Sequence, residues 1–181
     1  AETVDSLPKE PKKVVRVIPP FVWNEISPPY LKASYPFKRT KAILELRPYL
    51  VIHYYIYDEL RSPRTGELLD SVEEEDYIIY DAYTGKEVKR DDVIYRNLKE
   101  FSSEVIDEYL FECDTYDVKV PEIAINKSAF IQKAKIEASR NLFLEGEYEL
   151  SSGEIKRIVR QIKPEKIKIL KSEIIRLPIW H

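Results

Sequence analysis

Residues 42–57 read AILELRPYLVIHYYIY, and this stretch decides the predicted fold. It is rich in β-branched and aromatic residues and contains no Gly, a composition typical of a β-strand. Its side chains separate into two sets at a period of two, so we predict one long strand with one face on a core. The core set comprises Leu44, Leu46, Leu50, Ile52, Tyr54 and Ile56, and the opposite set comprises Glu45, Arg47, Tyr49, Val51, His53, Tyr55 and Tyr57.

A second strand is predicted to begin at Tyr77 and to run into a tight turn. Asp81 and Thr84 are suited to accept hydrogen bonds from backbone amides in that turn, and Gly85 is suited to a positive φ. We therefore interpret Asp81 as a turn-forming residue and not as a catalyst. The preceding acidic run, residues 73–76, is predicted to belong to a solvated loop.

Three helices are predicted after this turn, over residues 91–111, 126–142 and 151–162. The third begins where Ser151 and Glu154 have the spacing of a capping box, and Pro164 ends it. A further strand is predicted over residues 166–180, and all four glycines, including Gly146, fall at predicted turns. Strands separated from helices in this way predict an α+β fold, an antiparallel sheet packed on one face by two to three helices.

An extended, Pro-rich N-terminal arm is predicted over residues 1–37, before an α+β domain over residues 38–181. Seven of the twelve prolines lie in the first 36 residues, and each fixes φ and removes a backbone donor. Leu44 and Pro48 are echoed by Ile174 and Pro178 at an offset of 130 residues. This echo leaves open the alternative that the domain ends within the first strand of a second repeat unit.

The composition excludes several kinds of site. Cys113 is the only cysteine, so an internal disulfide and a Cys-based zinc site are excluded. His53 and His181 are the only histidines, which leaves little material for a catalytic triad. We assign no catalytic residue, metal or cofactor. Abundant Lys and Glu with no Met are typical of proteins from heat-loving organisms.

Targeting and membrane signals are also missing from the sequence. No run reaches the roughly 18 apolar residues that a membrane span requires, and residues 1–13 lack the apolar centre of a signal peptide. We therefore expect no membrane span and a cytoplasmic location.

The segment 80–88, Tyr-Asp-Ala-Tyr-Thr-Gly-Lys-Glu-Val, follows a tyrosine-rich strand and resembles the terminal hairpin of PepSY-type domains. In that family the hairpin has the approximate pattern Asp-Ala-x-Thr-Gly-(Lys/Glu). The resemblance covers about a dozen residues, and the helix that precedes the hairpin in the family is replaced here by residues 61–76. It implies a small α+β, cystatin-like accessory module that binds or inhibits and does not catalyse.

The charge is uneven along the chain, although the net charge is only −3. Residues 1–41 carry +4, residues 42–120 carry −11 and residues 121–181 carry +4. We expect a non-enzymatic protein–protein interaction or assembly module, part of a larger polypeptide or complex or a homo-oligomer. The arm and the tyrosine-bearing face of the long strand are its expected contact surfaces, with Phe21, Trp23, Tyr30, Tyr35, Tyr49, Tyr55 and Tyr57 as the partner-binding residues.

Two other functions stay open. Basic helices between residues 127 and 168 suit a nucleic-acid-binding protein, through Lys127, Lys133, Lys135, Arg140, Lys156 and Arg160. A Mg²⁺-dependent nuclease is the second alternative, because Asp81 and Glu87 followed by Lys89 have the order of two metal-binding carboxylates and a phosphate-binding lysine.

Overall fold

The computed structural model describes residues 14–17, 42–101, 106–109 and 116–180. That part of the chain contains eight β-strands and two α-helices. In chain order the elements are β1 (Val14–Val17), β2 (Ala42–Arg61), β3 (Leu68–Asp81), α1 (Val93–Phe101), β4 (Ile106–Tyr109), β5 (Tyr116–Lys119), α2 (Lys127–Ser139), β6 (Phe143–Glu149), β7 (Ile155–Gln161), a short 3-10 helix (Pro164–Lys166) and β8 (Ile167–Trp180). No helix among these residues has the length and hydropathy needed to cross a bilayer.

The predicted fold class, an antiparallel sheet packed on one face by two to three helices, is wrong. The described residues form mostly antiparallel sheet, and the third predicted helix is the strand β7. Ser151, Ser152 and Gly153 form a hairpin loop, in which Leu150 N–H donates to Glu154 O and Gly153 has a φ of 88°. A three-residue loop with a left-handed residue is a common β-hairpin connection. Ser151, which the capping-box spacing placed at the start of a helix, therefore lies in the loop of a β-hairpin.

The other predicted elements differ in how well they agree with the structure. The long strand is confirmed and extends to Arg61, while the acidic run 73–76 lies inside β3 and not in a loop. The helix predicted over residues 91–111 is shorter, because α1 ends at Phe101 and residues 106–109 form β4. The helix predicted after Asn126 is confirmed as α2, with Asn126 Oδ1 accepting a hydrogen bond from Ala129 N–H at 3.0 Å.

The chain divides into two compact units, the first made of residues 1–48, 101–121 and 175–181. Here β1 pairs antiparallel with β4 and parallel with β8, and the start of β2 pairs parallel with β5. Arg176 is 4% exposed and donates to the carbonyl oxygens of Leu46 and Pro121, at 2.8 Å each. Burial lowers the pKa of Arg176. Of the predicted arm, the structure describes only β1.

The second unit consists of residues 49–100 and 122–174. Here β2 and β3 pair antiparallel from Tyr49 opposite Asp81 to Arg61 opposite Leu68. The even-numbered residues of β2 face a core that α2 and the β6–β7 hairpin cover. Its largest fully buried side chains are Leu50, Ile52, Ile56, Tyr80, Leu144 and Ile162.

A close approach between β6 and β3 fixes the hairpin over this core. A Cβ atom at Gly146 would lie 2.6 Å from Leu69 Cβ, a distance that non-bonded carbon atoms do not tolerate. The backbone N–H of Glu145 donates to Asp70 Oδ2 at 3.0 Å beside this contact. Gly146 therefore lies within the strand β6, at a position where the contact with Leu69 leaves no room for a side chain. Its predicted position in a turn is wrong.

Candidate functional site

The predicted contact residues lie in different environments. Phe21, Trp23, Tyr30 and Tyr35 lie outside the described residues. Tyr49 is 2% exposed, so its side chain belongs to the core and not to an outer surface. Tyr55 is half-buried, and Tyr57 is 44% exposed.

Tyr55 and Tyr57 belong to an open face of the β2–β3 strand pair, which we call the tyrosine face. Its members are His53, Tyr55 and Tyr57 of β2 and Glu73, Glu75 and Tyr77 of β3. The imidazole of His53 stacks on the ring of Tyr77 at 4.4 Å between centroids, and its Nε2 lies 3.0 Å from Glu75 Oε1.

Two phenols of the tyrosine face, those of Tyr55 and Tyr57, have carboxylate partners within the chain. Tyr55 donates to Glu73 Oε1 at 2.9 Å, and Tyr57 donates to Glu59. These hydrogen bonds raise the pKa of Tyr55 and that of Tyr57 above the ordinary value, because ionising the phenol would place two negative charges side by side.

A second open face lies on the β6–β7 hairpin. Alternation along the two strands places one set of residues on the side that packs on β2 and β3, namely Leu144, Gly146, Tyr148, Lys156, Ile158 and Arg160, and the others on the opposite side. We call that other side the outer face. It comprises Phe143, Glu145, Glu147, Glu149, Ile155, Arg157, Val159 and Gln161.

The outer face exposes three large apolar side chains between acidic ones. Phe143 is 55% exposed, Ile155 65% and Val159 53%. The three glutamates of β6 lie on the same face, and the one arginine there, Arg157, forms an ion pair with Glu145. The outer face therefore combines apolar side chains with an acidic excess.

A pocket of about 510 Å³ also lies in the second unit. Its walls are β3 with Tyr54 of β2, the extended segment 87–90, Tyr95 of α1 and the C-terminal end of α2. The lining residues are Tyr54, Glu74, Tyr77, Ile78, Glu87, Val88, Lys89, Arg90, Tyr95, Glu137, Ala138, Arg140, Asn141 and Leu142. Asn141 takes a left-handed conformation with a φ of 66°, which is uncommon for a residue other than Gly.

Asp76 organises one wall of this pocket. Arg90 forms an ion pair with its carboxylate, Lys99 Nζ lies 3.2 Å from Oδ1, and Tyr95 donates to Oδ1 at 3.2 Å. Burial alone would raise the pKa of Asp76, but hydrogen bonds from Tyr77 N–H, Arg90 and Lys99 outweigh it and lower that pKa. Burial raises the pKa of Tyr95 well above its ordinary value, so Tyr95 is a hydrogen-bond donor at neutral pH.

Three residues of the nucleic-acid alternative, Lys133, Arg140 and Arg160, have partners within the second unit. Lys133 Nζ lies over the rings of Tyr80 and Phe130, at 5.5 and 5.2 Å from their centroids, and Arg140 pairs with Glu137. Arg160 lies 3.1 Å from Asp58 Oδ2, a carboxylate that is 5% exposed. Lys127 is exposed at the start of α2, and Lys156 lies on β7.

The interpretation of Asp81 as a turn-forming residue is confirmed. Its Oδ1 accepts hydrogen bonds from Tyr83 N–H at 2.8 Å and Thr84 N–H at 3.0 Å, and Gly85 has a φ of 79°. Among the described residues, no group of three or more His, Cys, Asp and Glu side chains is arranged to hold a metal ion. The nuclease alternative thus gains no support from the surroundings of Asp81.

Comparisons with protein-family models, with curated proteins and with solved structures gave no match. The resemblance of residues 80–88 to PepSY-type hairpins therefore stays a prediction.

The outer face and the pocket were both missed by reasoning from the sequence. The signal for the outer face was present as the strict alternation of Phe143, Glu145, Glu147 and Glu149 with less polar residues, which indicates a strand. No comparable signal marks the pocket, because its lining comes from five separate segments.

Proposed function

We propose that the chain is a non-enzymatic protein-interaction or assembly module, and that the outer face of the β6–β7 hairpin is its docking surface. The observation that carries this proposal is the exposure of Phe143, Ile155 and Val159 by more than half on one strand-pair face. Full burial of such a side chain is worth about 1.5–3 kcal/mol. A docked protein therefore gains free energy from three positions on one face.

The charges of the outer face define the chemistry of the partner. Glu147 and Glu149 lie among the apolar side chains and form no ion pair with any described residue, while Glu145 is matched by Arg157. The partner that fits is a protein surface with an apolar centre and Lys or Arg around it, since charge complementarity speeds association and selects the partner. The cytoplasmic location expected from the sequence belongs to the same proposal.

The tyrosine face supports a docked protein less well. The phenols of Tyr55 and Tyr57 and the imidazole of His53 already contact carboxylates of the chain, so a partner would have to replace bonds that exist. The apolar side chains of the outer face make no hydrogen bonds. A partner that buries them therefore does not have to break any bond within the chain. Tyr57 therefore remains a secondary contact in this proposal.

A capture experiment with matched variants tests the proposal. The full chain is immobilised and exposed to soluble extract of the source cells, and the retained proteins are quantified by mass spectrometry. The outer-face variant carries Phe143→Thr, Ile155→Thr and Val159→Thr. The control variant carries the same number of apolar-to-Thr changes at Val93, Ile123 and Ile136, which are exposed by 53, 47 and 50% on other surfaces.

We expect a partner that the wild type and the control variant retain and that the outer-face variant loses. Size-exclusion chromatography with light scattering is run in parallel, because self-association through the same face is the other form of an assembly module. A monomeric chain whose bound proteins are the same in both variants would contradict the proposal.

A further inference from the structure

The strand β7 has one edge that no other strand covers. It pairs antiparallel with β6 in a two-stranded sheet, and among the described residues no further strand pairs with it. At the two ends of this ladder Leu150 N–H donates to Glu154 O, and Ile162 N–H donates to Leu142 O. Residues that exchange hydrogen bonds alternate along an antiparallel pair with residues that do not. The backbone groups of the odd-numbered residues of β7 therefore point away from β6.

The chain supplies no partner for these outward backbone groups, which we call the outward row. They are the N–H and C=O groups of Ile155, Arg157, Val159 and Gln161, and all four residues are exposed. None of these groups has a hydrogen-bond partner among the described residues. A free row of alternating donors and acceptors is a template for another extended backbone.

The outward edge of β6 differs, because the chain itself lies against it. Glu145 N–H donates to Asp70 Oδ2 of β3 at 3.0 Å. Arg64 Nη1 donates to the carbonyl oxygen of Glu149 at 2.9 Å. An added strand therefore fits beside β7 and not beside β6.

The outward row and the apolar part of the outer face belong to the same residues. Ile155 and Val159 are 65 and 53% exposed, and both contribute backbone groups to the outward row. A strand that pairs with β7 places every second side chain on the outer face, next to these two. One extended segment would thus gain main-chain hydrogen bonds and apolar burial together, as in strand addition to other sheet edges.

The charge along β7 indicates which segment fits this edge. Residues 155–163 carry four cationic side chains and no Asp or Glu. Two of the cations, Lys156 and Lys163, are exposed and form no ion pair with any described residue. Like charges on neighbouring strands are destabilising and opposite charges are stabilising. The β7 strand of a second copy is therefore a poor partner, and an acidic strand is a good one.

We propose that the edge of β7 binds an extended segment of a partner protein in which apolar residues alternate with acidic ones. The backbone of the segment pairs with the outward row, and its apolar side chains enlarge the outer face. Its acidic side chains lie on the opposite side of the hairpin, the side that carries Lys156. This proposal rests on the proposed function, because it specifies which part of the partner contacts the outer face. The basic residues that meet Glu147 and Glu149 lie elsewhere on the partner.

Peptide binding to the full, nitrogen-15-labelled chain tests the edge by NMR. The probe is the blocked alternating peptide (Val-Glu)4, and (Val-Lys)4 is compared with it in low-salt buffer. We expect saturable shifts with (Val-Glu)4 and at least about tenfold weaker binding of (Val-Lys)4, since attraction to the unpaired lysines becomes repulsion. Bound (Val-Glu)4 should slow hydrogen exchange at the N–H groups of Arg157 and Val159. The N–H of Ile158 already faces β6 and should change little.

Two variants at one position separate edge pairing from burial of the outer face. Val159→Pro keeps an apolar side chain but removes an outward N–H, a change that an edge strand tolerates. It should weaken (Val-Glu)4 binding by at least about tenfold. Val159→Thr keeps the N–H and should weaken binding by about threefold or less. Circular dichroism on each variant shows whether the fold is retained.

The reverse order of the two variants would overturn the edge proposal, because it would show docking on the outer face alone. That result leaves the proposed function in place, which protein capture tests separately. No binding of (Val-Glu)4, equal binding of the two peptides, or an outward row already protected from exchange in the free chain would also overturn the edge proposal. The exchange measurement uses the wild type and so does not depend on the folding of Val159→Pro.

Discussion

The tyrosine face and the outer face are both open strand-pair surfaces of the second unit. They differ in whether the chain itself supplies partners for the large side chains that they carry. On the tyrosine face, Tyr55 donates to Glu73 and His53 lies against Glu75 and Tyr77. On the outer face, Phe143, Ile155 and Val159 are more than half exposed. Exposed aromatic residues therefore do not identify a docking surface by themselves. The informative property is whether the fold already supplies a partner for what is exposed.

The same contrast holds within the hairpin, between its two sides. The inner side makes the contacts that hold the hairpin on β2 and β3, and the outer side makes none with the described core. Substitutions on the two sides should consequently differ in their effect on stability.

The largest effect is expected for two neighbouring residues of opposite orientation. Leu144→Ala, at 2% exposure, should lower the free energy of unfolding by about 3 kcal/mol, because it removes buried methyl groups and leaves a cavity. Phe143→Ala, at 55% exposure, should lower it by less than about 1 kcal/mol. Urea denaturation followed by circular dichroism measures both. Equal losses would show that the two sides of the hairpin are not distinct.

The next effect concerns the close approach of the hairpin to β3. Gly146→Ala should cost about 2 kcal/mol, because the new Cβ would lie 2.6 Å from Leu69 Cβ and the strands must separate. Leu69→Ala should not relieve this clash, since alanine keeps the Cβ atom. Gly66→Ala is the control: no atom lies within 4 Å of its Cβ position, so only its φ of 75° opposes the change, at about 1 kcal/mol.

A smaller effect is expected for the buried carboxylate under β7. Asp58 is 5% exposed and lies 3.1 Å from Arg160 and 3.8 Å from Lys166. Asp58→Asn should lower the free energy of unfolding by about 1.5 kcal/mol, less than for a fully buried pair because both cations reach solvent. When Arg160 is already replaced by Met, Asp58→Asn should lower the free energy of unfolding very little. A loss as large as in the wild type would show that the ion pair between Asp58 and Arg160 is not the cause.

The smallest effect is expected on the tyrosine face. The hydrogen bond to Glu73 raises the pKa of Tyr55, so its contribution to stability is complete below pH of about 10 and is lost as the pH rises through the folded-state pKa. Glu73→Gln should move the pKa of Tyr55 toward its ordinary value with little change in stability at neutral pH. An NMR titration of labelled tyrosine measures this shift. Glu147→Gln, on the outer face, should leave the pKa unchanged.

Several elements of the fold followed from local sequence patterns. The period-two pattern of residues 42–57 predicted β2, Asn126 and the residues after it predicted α2, and Asp81 with Gly85 predicted the turn after β3. Each of these depends on neighbours close in sequence: alternating side chains, a capping oxygen, or a residue suited to positive φ.

The candidate binding surfaces could be predicted from the sequence to a much smaller extent. The two tyrosines that reach the tyrosine face and the buried Tyr49 have the same period in the sequence, and only packing separates them. Residues 151–162 carried spacing suited to either a helix or a hairpin, and the helix prediction was wrong because long-range contacts of Leu144, Ile162 and Arg160 favour the strand pair.

The sequence by itself determined where β2, α2 and the turn after β3 lie, because those choices are made by contacts within a few residues. Only the tertiary structure decided that Gly146 must lack a side chain, that the outer face stays open, and that five separate segments line one pocket. These properties join segments far apart in the chain, and their free energy comes from packing and charge pairing that no local spacing encodes.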